Sequence, residues 1–195
     1  MSKDRLLLLG CGILRKEIRF LIEKNGWPLE LFFLDSTLHV DFEDLSHSLK
    51  SALARHSGRD IIVFYGACHP LMESILGEAE TFRTEGQNCV EMLLGQELFT
   101  EELTNGAFFL LEDWARRWDV ILRKTLGNNE KIWKDVYQGD RKYLACITTP
   151  CSGDYRAEAE AAGKKVGLPL RWLDSTLEHL ESVLQDALTR KQREI

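Results

Sequence analysis

The sequence lacks long hydrophobic runs and contains little proline. No apolar stretch approaches the ~20 residues that a helix needs to span a bilayer, so no membrane span is expected. The 195 residues include only 4 prolines and no low-complexity tract, which excludes collagen-like chains, mucin-like stalks and long linkers. Lys and Arg together number 25 against 31 for Asp and Glu. This acidic balance argues against nucleic acid as a partner.

The motifs of several common enzyme classes are also missing. Gly10-Cys11-Gly12 does not continue into the dinucleotide-binding pattern GxGxxG, because Arg15 stands where the third glycine would be. The chain contains no GxxxxGK[ST], no GxSxG and no CxxC. These absences argue against nucleotide binding by those loops, against hydrolases of that type and against a thioredoxin-like redox pair. Whether the protein is an enzyme stays open.

The cysteines indicate a reducing compartment. Their number, 5, is odd, which argues against a disulfide framework. Leu8-Leu9-Gly10-Cys11 resembles a lipoprotein cleavage box, but the apolar run before it is shorter than the roughly 7–15 residues of a secretory signal. That run is therefore predicted to be a buried strand, and the expected location is the cytoplasm. Cysteines there are buried hydrophobic residues, catalytic thiols or metal ligands.

Short apolar runs alternate with amphipathic stretches, which predicts an α/β fold. The chain is 44% hydrophobic, and its length favours a single domain over residues 1–195. We expect a layered, mostly parallel sheet of about six strands with helices on both faces. The predicted strands are Arg5–Leu9, Leu29–Leu34, Asp60–Tyr65, Ala107–Leu111, Lys142–Ile147 and Leu168–Leu173. The predicted helices are Ile13–Lys24, Asp41–Arg55, Pro70–Leu76, Asn88–Phe99, Asp113–Leu126, Asn129–Tyr137, Asp154–Val166 and Leu177–Thr189.

Two segments of the chain resemble each other. The sequence Leu-Asp-Ser-Thr stands at 34–37 and again at 173–176, each time at the end of a predicted strand. Each copy follows a strand, a loop that contains a cysteine and a helix that ends near a glycine. We therefore predict two related β-α-β-α halves, at about residues 5–56 and 142–190. The shared turn is either a helix cap, for which Asp, Ser and Thr are suited, or a paired binding element.

Three cysteines are predicted to follow strands or to open helices: Cys11, Cys68 and Cys89. In an open parallel sheet, ligands bind beyond the carboxyl ends of the strands. A helix N-terminus lowers the pKa of a nearby thiol, and the thiolate is both a nucleophile and a metal ligand. A catalytic zinc ion keeps three protein ligands and one open position, so the hypothesis is a three-thiolate metal site, most simply for zinc. From the spacing alone, buried structural cysteines or catalytic or redox thiols remain alternatives.

Two histidines and two further cysteines are secondary candidates. His39 or His69 is expected to bind the metal as a fourth ligand, or to hydrogen bond to one of its ligands. Cys146 is expected inside the fifth strand, with a structural role. Cys151 lies in the loop that matches the Cys11 loop of the repeat, so its role stays open.

Five short motifs run along most of the chain. They are Cys11 after the first strand, Leu38-His39, Tyr65-Gly66-Ala67-Cys68, Cys89 to Leu93-Leu94-Gly95, and Gly106-Ala107-Phe108-Phe109-Leu110 to Trp114. In these motifs the chain resembles domain-of-unknown-function family sixteen-thirty-eight, a family of bacterial and archaeal proteins. His69 departs from the usual Gly of that family, and Asn88 from its usual Asp. The resemblance implies that Cys11, Cys68 and Cys89 belong to one site.

The resemblance also implies a metabolic setting. Members of the family are often encoded near corrinoid-dependent methyltransferases in anaerobes. The expected function is therefore that of a cytoplasmic metal-binding protein in thiol- or corrinoid-linked one-carbon metabolism. A small molecule or a corrinoid protein is the expected partner, with neither nucleic acid nor a membrane. The alternatives are a non-catalytic module that binds a metal or a corrinoid, and an α/β interaction protein whose thiols are structural.

Overall fold

A computed structural model describes residues 6–194 of the chain. Its strands are β1 (Leu6–Cys11), β2 (Leu29–Leu34), β3 (Ile61–Phe64), β4 (Ala107–Leu110), β5 (Tyr143–Thr148) and β6 (Leu170–Asp174). Its α-helices are α1 (Arg15–Asn25), α2 (Phe42–Arg55), α3 (Met72–Glu78), α4 (Cys89–Leu94), α5 (Gln96–Thr104), α6 (Glu112–Arg116), α7 (Trp118–Leu126), α8 (Glu130–Asp140), α9 (Arg156–Val166) and α10 (Glu178–Glu194). Arg5, where the first predicted strand begins, lies outside the described residues. None of the described helices is long and apolar enough to cross a membrane.

The predicted α/β class and the parallel pairing are confirmed, but the strands form two sheets. One sheet has the order β2-β1-β3 and the other the order β4-β5-β6, and every paired strand in both is parallel. The expected sheet of about six strands is therefore divided into two sheets of three. Hydrophobic periodicity identifies a buried strand but carries no information on which edges pair, so the division could not be predicted from the sequence.

The described chain forms two compact units. The first contains the residues up to Leu93 together with those from Leu177 onwards, and the second spans Leu94–Thr176. The sheet β2-β1-β3 belongs to the first unit, as does α10, and the sheet β4-β5-β6 belongs to the second. The expectation of a single domain over residues 1–195 stays a prediction.

The core of the first unit is built on its central strand. Leu7, Leu8 and Leu9 of β1 are fully buried, because β2 and β3 pair with both edges and helices cover the faces. The apolar faces of α1 and α2 contribute Ile18, Leu21 and Leu45 to the same core. This packing fixes the carboxyl end of β1, where Cys11 is the last residue of the strand.

Two predicted helices are each divided into two. The predicted helix Asn88–Phe99 is α4 followed by α5, because Gly95 between them has a φ of 82°, outside the right-handed helical region. Asn88 caps α4 as expected, since its side-chain oxygen accepts the backbone N–H of Val90 at 2.9 Å. The predicted helix Asp113–Leu126 is α6 followed by α7, with Arg117 between them outside helical geometry.

The two related segments share a framework but differ at the repeated turn. In each, two parallel strands flank a helix that ends at a glycine with a left-handed backbone, Gly26 in one and Gly167 in the other. In the first turn the Asp35 carboxylate accepts the backbone N–H of Thr37 at 2.7 Å, as a helix cap does. In the second, the Asp174 carboxylate accepts the hydroxyl of Thr148. The repeated Asp therefore caps a helical turn in the first copy and contacts β5 in the second, and the choice between a helix cap and a paired binding element stays open.

Candidate functional site

Three thiols and one imidazole meet beyond the carboxyl end of the sheet β2-β1-β3. We call Cys11, Cys68, Cys89 and His39 the thiol cluster. Cys11 ends β1, Cys68 lies in the segment after β3, Cys89 is the first residue of α4, and His39 lies in the 3-10 turn after β2. The strands bring their carboxyl ends to the same edge because they run parallel. The three cysteines that the sequence selects therefore lie close together, and their role as a metal site stays a prediction.

Hydrogen bonds link the four side chains of the thiol cluster. The sulfur of Cys11 lies 3.7 Å from Nδ1 of His39. Cys11 also hydrogen bonds to the thiol of Cys89, and His39 hydrogen bonds to Cys68. The same Nδ1 of His39 lies 3.2 Å from the carbonyl oxygen of Ser36, which is a suitable acceptor for a ring N–H. The imidazole is thus oriented by its own turn and faces two thiols.

The cluster is buried on one side and accessible on the other. Cys11 is 0% exposed and Cys89 is 4% exposed, whereas Cys68 is partly exposed. His39 is also partly exposed. Cys68 and His39 are therefore the accessible members of the cluster, and Cys11 and Cys89 are its buried members.

The surroundings of Cys11 lower the pKa of its thiol. Burial by itself raises its pKa, but hydrogen bonds from Cys89 and His39, together with the charge on His39, outweigh burial. A hydrogen bond from the backbone of Ile13 acts in the same direction, and the pKa of Cys11 falls to about 5. A lowered pKa is expected for this thiol from its position before a helix N-terminus. In the structure, side-chain hydrogen bonds and the charge on His39 lower the pKa more than the backbone does.

The pKa values of His39 and Cys89 are both raised by the adjacent Cys11. Burial lowers the pKa of His39, but the adjacent thiols of Cys11 and Cys68 outweigh burial and raise it to about 11. Cys89 hydrogen bonds to the Cys11 thiolate, and this bond, together with burial, raises the pKa of Cys89 well above its usual value. Cys89 is therefore the protonated donor in the pair. The lowering expected from its position at a helix N-terminus does not occur, because two adjacent thiols resist carrying two negative charges.

A glycine brings Cys89 to the other thiols. A Cβ atom built on Gly66 would lie 2.2 Å from the carbonyl oxygen of Gln87 and 2.6 Å from the Cα of Asn88. The backbone that leads into α4 therefore passes directly over Gly66, which follows β3. Only a residue without a side chain permits this approach. The contact places Cys89 beside the segment that carries Cys68.

Tyr65 is buried beside the cluster with its hydroxyl unsatisfied. Its side chain is 0% exposed, and the hydroxyl has no hydrogen-bond partner among the described residues. Its ring lies 5.8 Å from that of His39, centroid to centroid. Burial raises the pKa of Tyr65, and the charges of Cys11, Cys89 and Cys68 raise it further, so all three thiols are near. A buried, unpaired hydroxyl costs about 1–3 kcal/mol, which calls for an explanation.

The remaining sequence candidates lie elsewhere. His69 packs its ring edge-to-face against Phe42, and its Nδ1 accepts the backbone N–H of Leu71 at 2.9 Å. The first contact is with α2 and the second lies within the turn of His69, and neither involves one of the three thiols. Cys146 is buried in β5, where burial raises its pKa to about 12, which suits a structural thiol. Cys151 is partly exposed in the second unit, and its backbone N–H donates to the Thr149 hydroxyl.

The thiol cluster is joined by hydrogen bonds and is not already arranged around an ion. Among residues 6–194, no group of three or more His, Cys, Asp or Glu side chains has the arrangement of a metal site. The chemistry of the donors nevertheless suits a soft metal, since thiolate and imidazole are the ligands that zinc selects. Metal ions bind thiols by displacing their protons, and the hydrogen bonds in this cluster mark where those protons lie.

Comparison with known proteins assigns the chain to a family. The profile of DUF1638, a protein family of unknown function, matches residues 33–184, and the chain belongs to this family. The matched range includes His39, Tyr65, Cys68 and Cys89, and Cys11 lies before it. A search of curated proteins found no match.

Sequence reasoning did not assign roles to Tyr65, Gly66 or Ser36. Tyr65 and Gly66 occur in the motif that ends at Cys68. The hydroxyl of Tyr65, at the end of an otherwise apolar predicted strand, was the one sequence feature that could have indicated a role for this residue. The role of Gly66 depends on the path of residues 87–88, and that of Ser36 depends on a backbone carbonyl. Neither of these tertiary contacts leaves a pattern in the sequence.

Proposed function

We propose that the protein binds a divalent zinc ion through the thiolates of Cys11, Cys68 and Cys89. The observation that carries the proposal is the gathering of three thiols from three separate segments of the chain into one largely buried cluster. Three thiolate ligands leave one position of a tetrahedral ion open, as in catalytic rather than structural zinc sites. Cys68 is partly exposed, which gives an ion access to the cluster from solvent.

His39 supports the thiolates in this proposal without binding the ion. Its Nδ1 lies 3.2 Å from the Ser36 carbonyl and 3.7 Å from the Cys11 sulfur, so an N–H at this position faces two acceptors. Three thiolates and a divalent ion carry one net negative charge, and a hydrogen bond donated by His39 would stabilise that charge. Partners that hydrogen bond to metal ligands in this way raise metal affinity, typically by about 10- to 100-fold.

A second candidate function is thiol chemistry without a metal. The thiolate–imidazolium pair of Cys11 and His39 resembles the activated nucleophiles of thiol enzymes. Cys11 is fully buried, however, and a nucleophile has to reach its substrate. Cys68, which is partly exposed and also hydrogen bonds to His39, is the better nucleophile on grounds of access. This candidate ranks second because it uses only one of the three thiols directly.

Cobalt substitution tests the proposal. Co²⁺ added to metal-free protein should produce a sulfur-to-cobalt charge-transfer band, and excess Zn²⁺ should abolish the band. Cys11→Ser, Cys68→Ser and Cys89→Ser should each weaken the band and the affinity. Cys151→Ser provides the matched control, because Cys151 is a partly exposed thiol in the other unit, and this variant should behave as wild type.

If the cobalt band does not form, the reactivity of Cys68 distinguishes the two remaining functions. If no band forms, and iodoacetamide alkylates Cys68 much faster than Cys151 in a manner that His39→Asn abolishes, the site is a catalytic thiol. If no band forms and the two thiols alkylate at similar rates, the cluster is structural. That result would favour an α/β interaction protein.

We also propose a metabolic setting and a location for the protein. A role in thiol- or corrinoid-linked methyl-group metabolism, with a small molecule or a corrinoid protein as partner, is supported only by the family resemblance. Location in a reducing cytoplasm is supported by five cysteines that are all thiols. Whether the metal site turns over a substrate or only binds one depends on what occupies the open position of the ion.

A further inference from the structure

The hydroxyl of Tyr65 is buried and has no hydrogen-bond partner among residues 6–194. The ring is held between fixed neighbours, with the His39 ring at 5.8 Å and the following residue, Gly66, pressed against the backbone of residues 87–88. The backbone carbonyl of Tyr65 also accepts the Thr84 hydroxyl at 3.4 Å. Tyr65 is 0% exposed, so its hydroxyl cannot reach bulk water without rearrangement.

The hydroxyls of buried Tyr155 and of partly exposed Tyr143 both have partners. Tyr155 is 1% exposed, and its hydroxyl donates to the carbonyl oxygen of Ile147 at 2.7 Å. The Tyr143 hydroxyl donates to the carboxylate of Glu102 at 2.7 Å. Tyr65 instead lies near three sulfur atoms and bonds to none of them. Sulfur is a weak acceptor, and an oxygen atom is the acceptor that a phenol selects.

We propose that the thiol cluster binds a small exogenous ligand through an oxygen atom, and that this oxygen accepts a hydrogen bond from Tyr65. The inference rests on the proposed function, because the ligand would take the position that three thiolates leave open on the ion. It adds a ligand class, oxygen donors such as carboxylates, hydroxamates or hydroxide, and it assigns Tyr65 to ligand binding. Tyr65 is then a specificity-determining residue that distinguishes oxygen ligands from sulfur ligands.

Ligand titration of the Co²⁺ protein tests this inference. Acetohydroxamate, which binds through oxygen, and ethanethiol, which binds through sulfur, are titrated separately while the visible d–d bands of cobalt are recorded. Tyr65→Phe should weaken acetohydroxamate binding by roughly 10-fold or more, the effect of a lost hydrogen bond to a charged acceptor. Ethanethiol binding should change by less than about 2-fold, because sulfur accepts hydrogen bonds weakly.

Tyr155→Phe is the matched control. It removes the hydroxyl of an equally buried tyrosine in the other unit, so it should leave both ligand affinities unchanged. In ligand-free protein, the two variants should have different effects on the urea midpoint of unfolding. Tyr155→Phe loses a hydrogen bond to Ile147 and should lower the urea midpoint, whereas Tyr65→Phe removes an unpaired hydroxyl and should not lower it.

The outcomes separate this inference from the proposed function. If Co²⁺ does not bind at the cysteines, the proposed function fails and the inference fails with it. If Co²⁺ binds but Tyr65→Phe leaves acetohydroxamate affinity unchanged, only the inference is overturned. It is also overturned if neither probe alters the bands, which would leave water as the partner of the hydroxyl. A urea midpoint that falls as far in Tyr65→Phe as in Tyr155→Phe would show an internal partner, with the same consequence.

Discussion

The substitution Gly66→Ala should damage both the fold and the thiol cluster. The added Cβ would lie 2.2 Å from the Gln87 oxygen and 2.4 Å from the Gln87 carbonyl carbon, whereas ordinary contact begins at 3.4 Å. The difference of 3.4 − 2.2, about 1.2 Å, has to be absorbed by the backbone, because no flexible side chain is available to move. Overpacking of this kind typically lowers the free energy of unfolding by about 1–3 kcal/mol. Because the atoms in contact here are backbone atoms, we expect a loss of about 3 kcal/mol or more.

The same displacement should weaken metal binding. Cys89 directly follows Asn88, whose Cα would be 2.6 Å from the new Cβ, so relief of the clash should change the position of Cys89 relative to Cys11. We expect the affinity for Co²⁺ to fall by about 10- to 100-fold, the effect of disturbing the support of a metal ligand. Urea unfolding of metal-free protein measures the first effect, and Co²⁺ titration measures the second.

A second glycine provides the control for this prediction. Gly77 lies in α3, and a Cβ built there meets nothing within 4 Å. Gly77→Ala should leave Co²⁺ affinity unchanged and raise stability by up to about 1 kcal/mol, because alanine favours a helix over glycine. The reasoning about Gly66 would be refuted if Gly66→Ala unfolded within about 0.5 kcal/mol of wild type and bound Co²⁺ equally well.

Three further predictions follow from named contacts. In metal-free protein, the stability that Cys11 contributes should decline as the pH falls from about 8.5, the pKa of an unfolded thiol, to about 5, because its pKa is lowered by folding. Urea unfolding across pH should show this loss in wild type, and an identical profile in Cys11→Ser would contradict it. The contribution of His39, whose pKa is raised by folding, should be complete below about 6.5 and decline as the pH rises towards about 11. His39→Asn should remove that decline, and a profile that kept it would show another group to be responsible. Glu102→Ala should lower the unfolding free energy by about 1–3 kcal/mol, because Glu102 is 1% exposed and its carboxylate both accepts from the Tyr143 hydroxyl and pairs with Arg171. Co²⁺ affinity should not change in that variant, and a change would show that the effect is not confined to the second unit.

The elements of the fold were largely predictable because their signals are local. Each strand of the structure overlaps a predicted strand, and Gly26 ends α1 with the left-handed conformation that the Asn25-Gly26 pair suggested. The breaks at Gly95 and Arg117 were missed, since apolar spacing continues across both. The division into two sheets was missed because edge pairing depends on contacts between distant segments.

The site was predictable only in part. The position of each thiol relative to a predicted strand or helix identified Cys11, Cys68 and Cys89, and the structure brings the three together. The choice between His39 and His69 could not be made from the sequence, because both follow strands of the same sheet. Local turns decide the orientation of each ring, with His39 directed by the Ser36 carbonyl and His69 by its contact with Leu71.

Metal content of protein purified without oxygen tests the central claim most directly. Elemental analysis of wild type, Cys68→Ser and Cys151→Ser compares two partly exposed thiols, only one of which belongs to the cluster. About one zinc ion per chain is expected in wild type and in Cys151→Ser, and little or none in Cys68→Ser. Wild-type protein without metal, or equal metal content in all three proteins, would contradict a metal site at Cys11, Cys68 and Cys89.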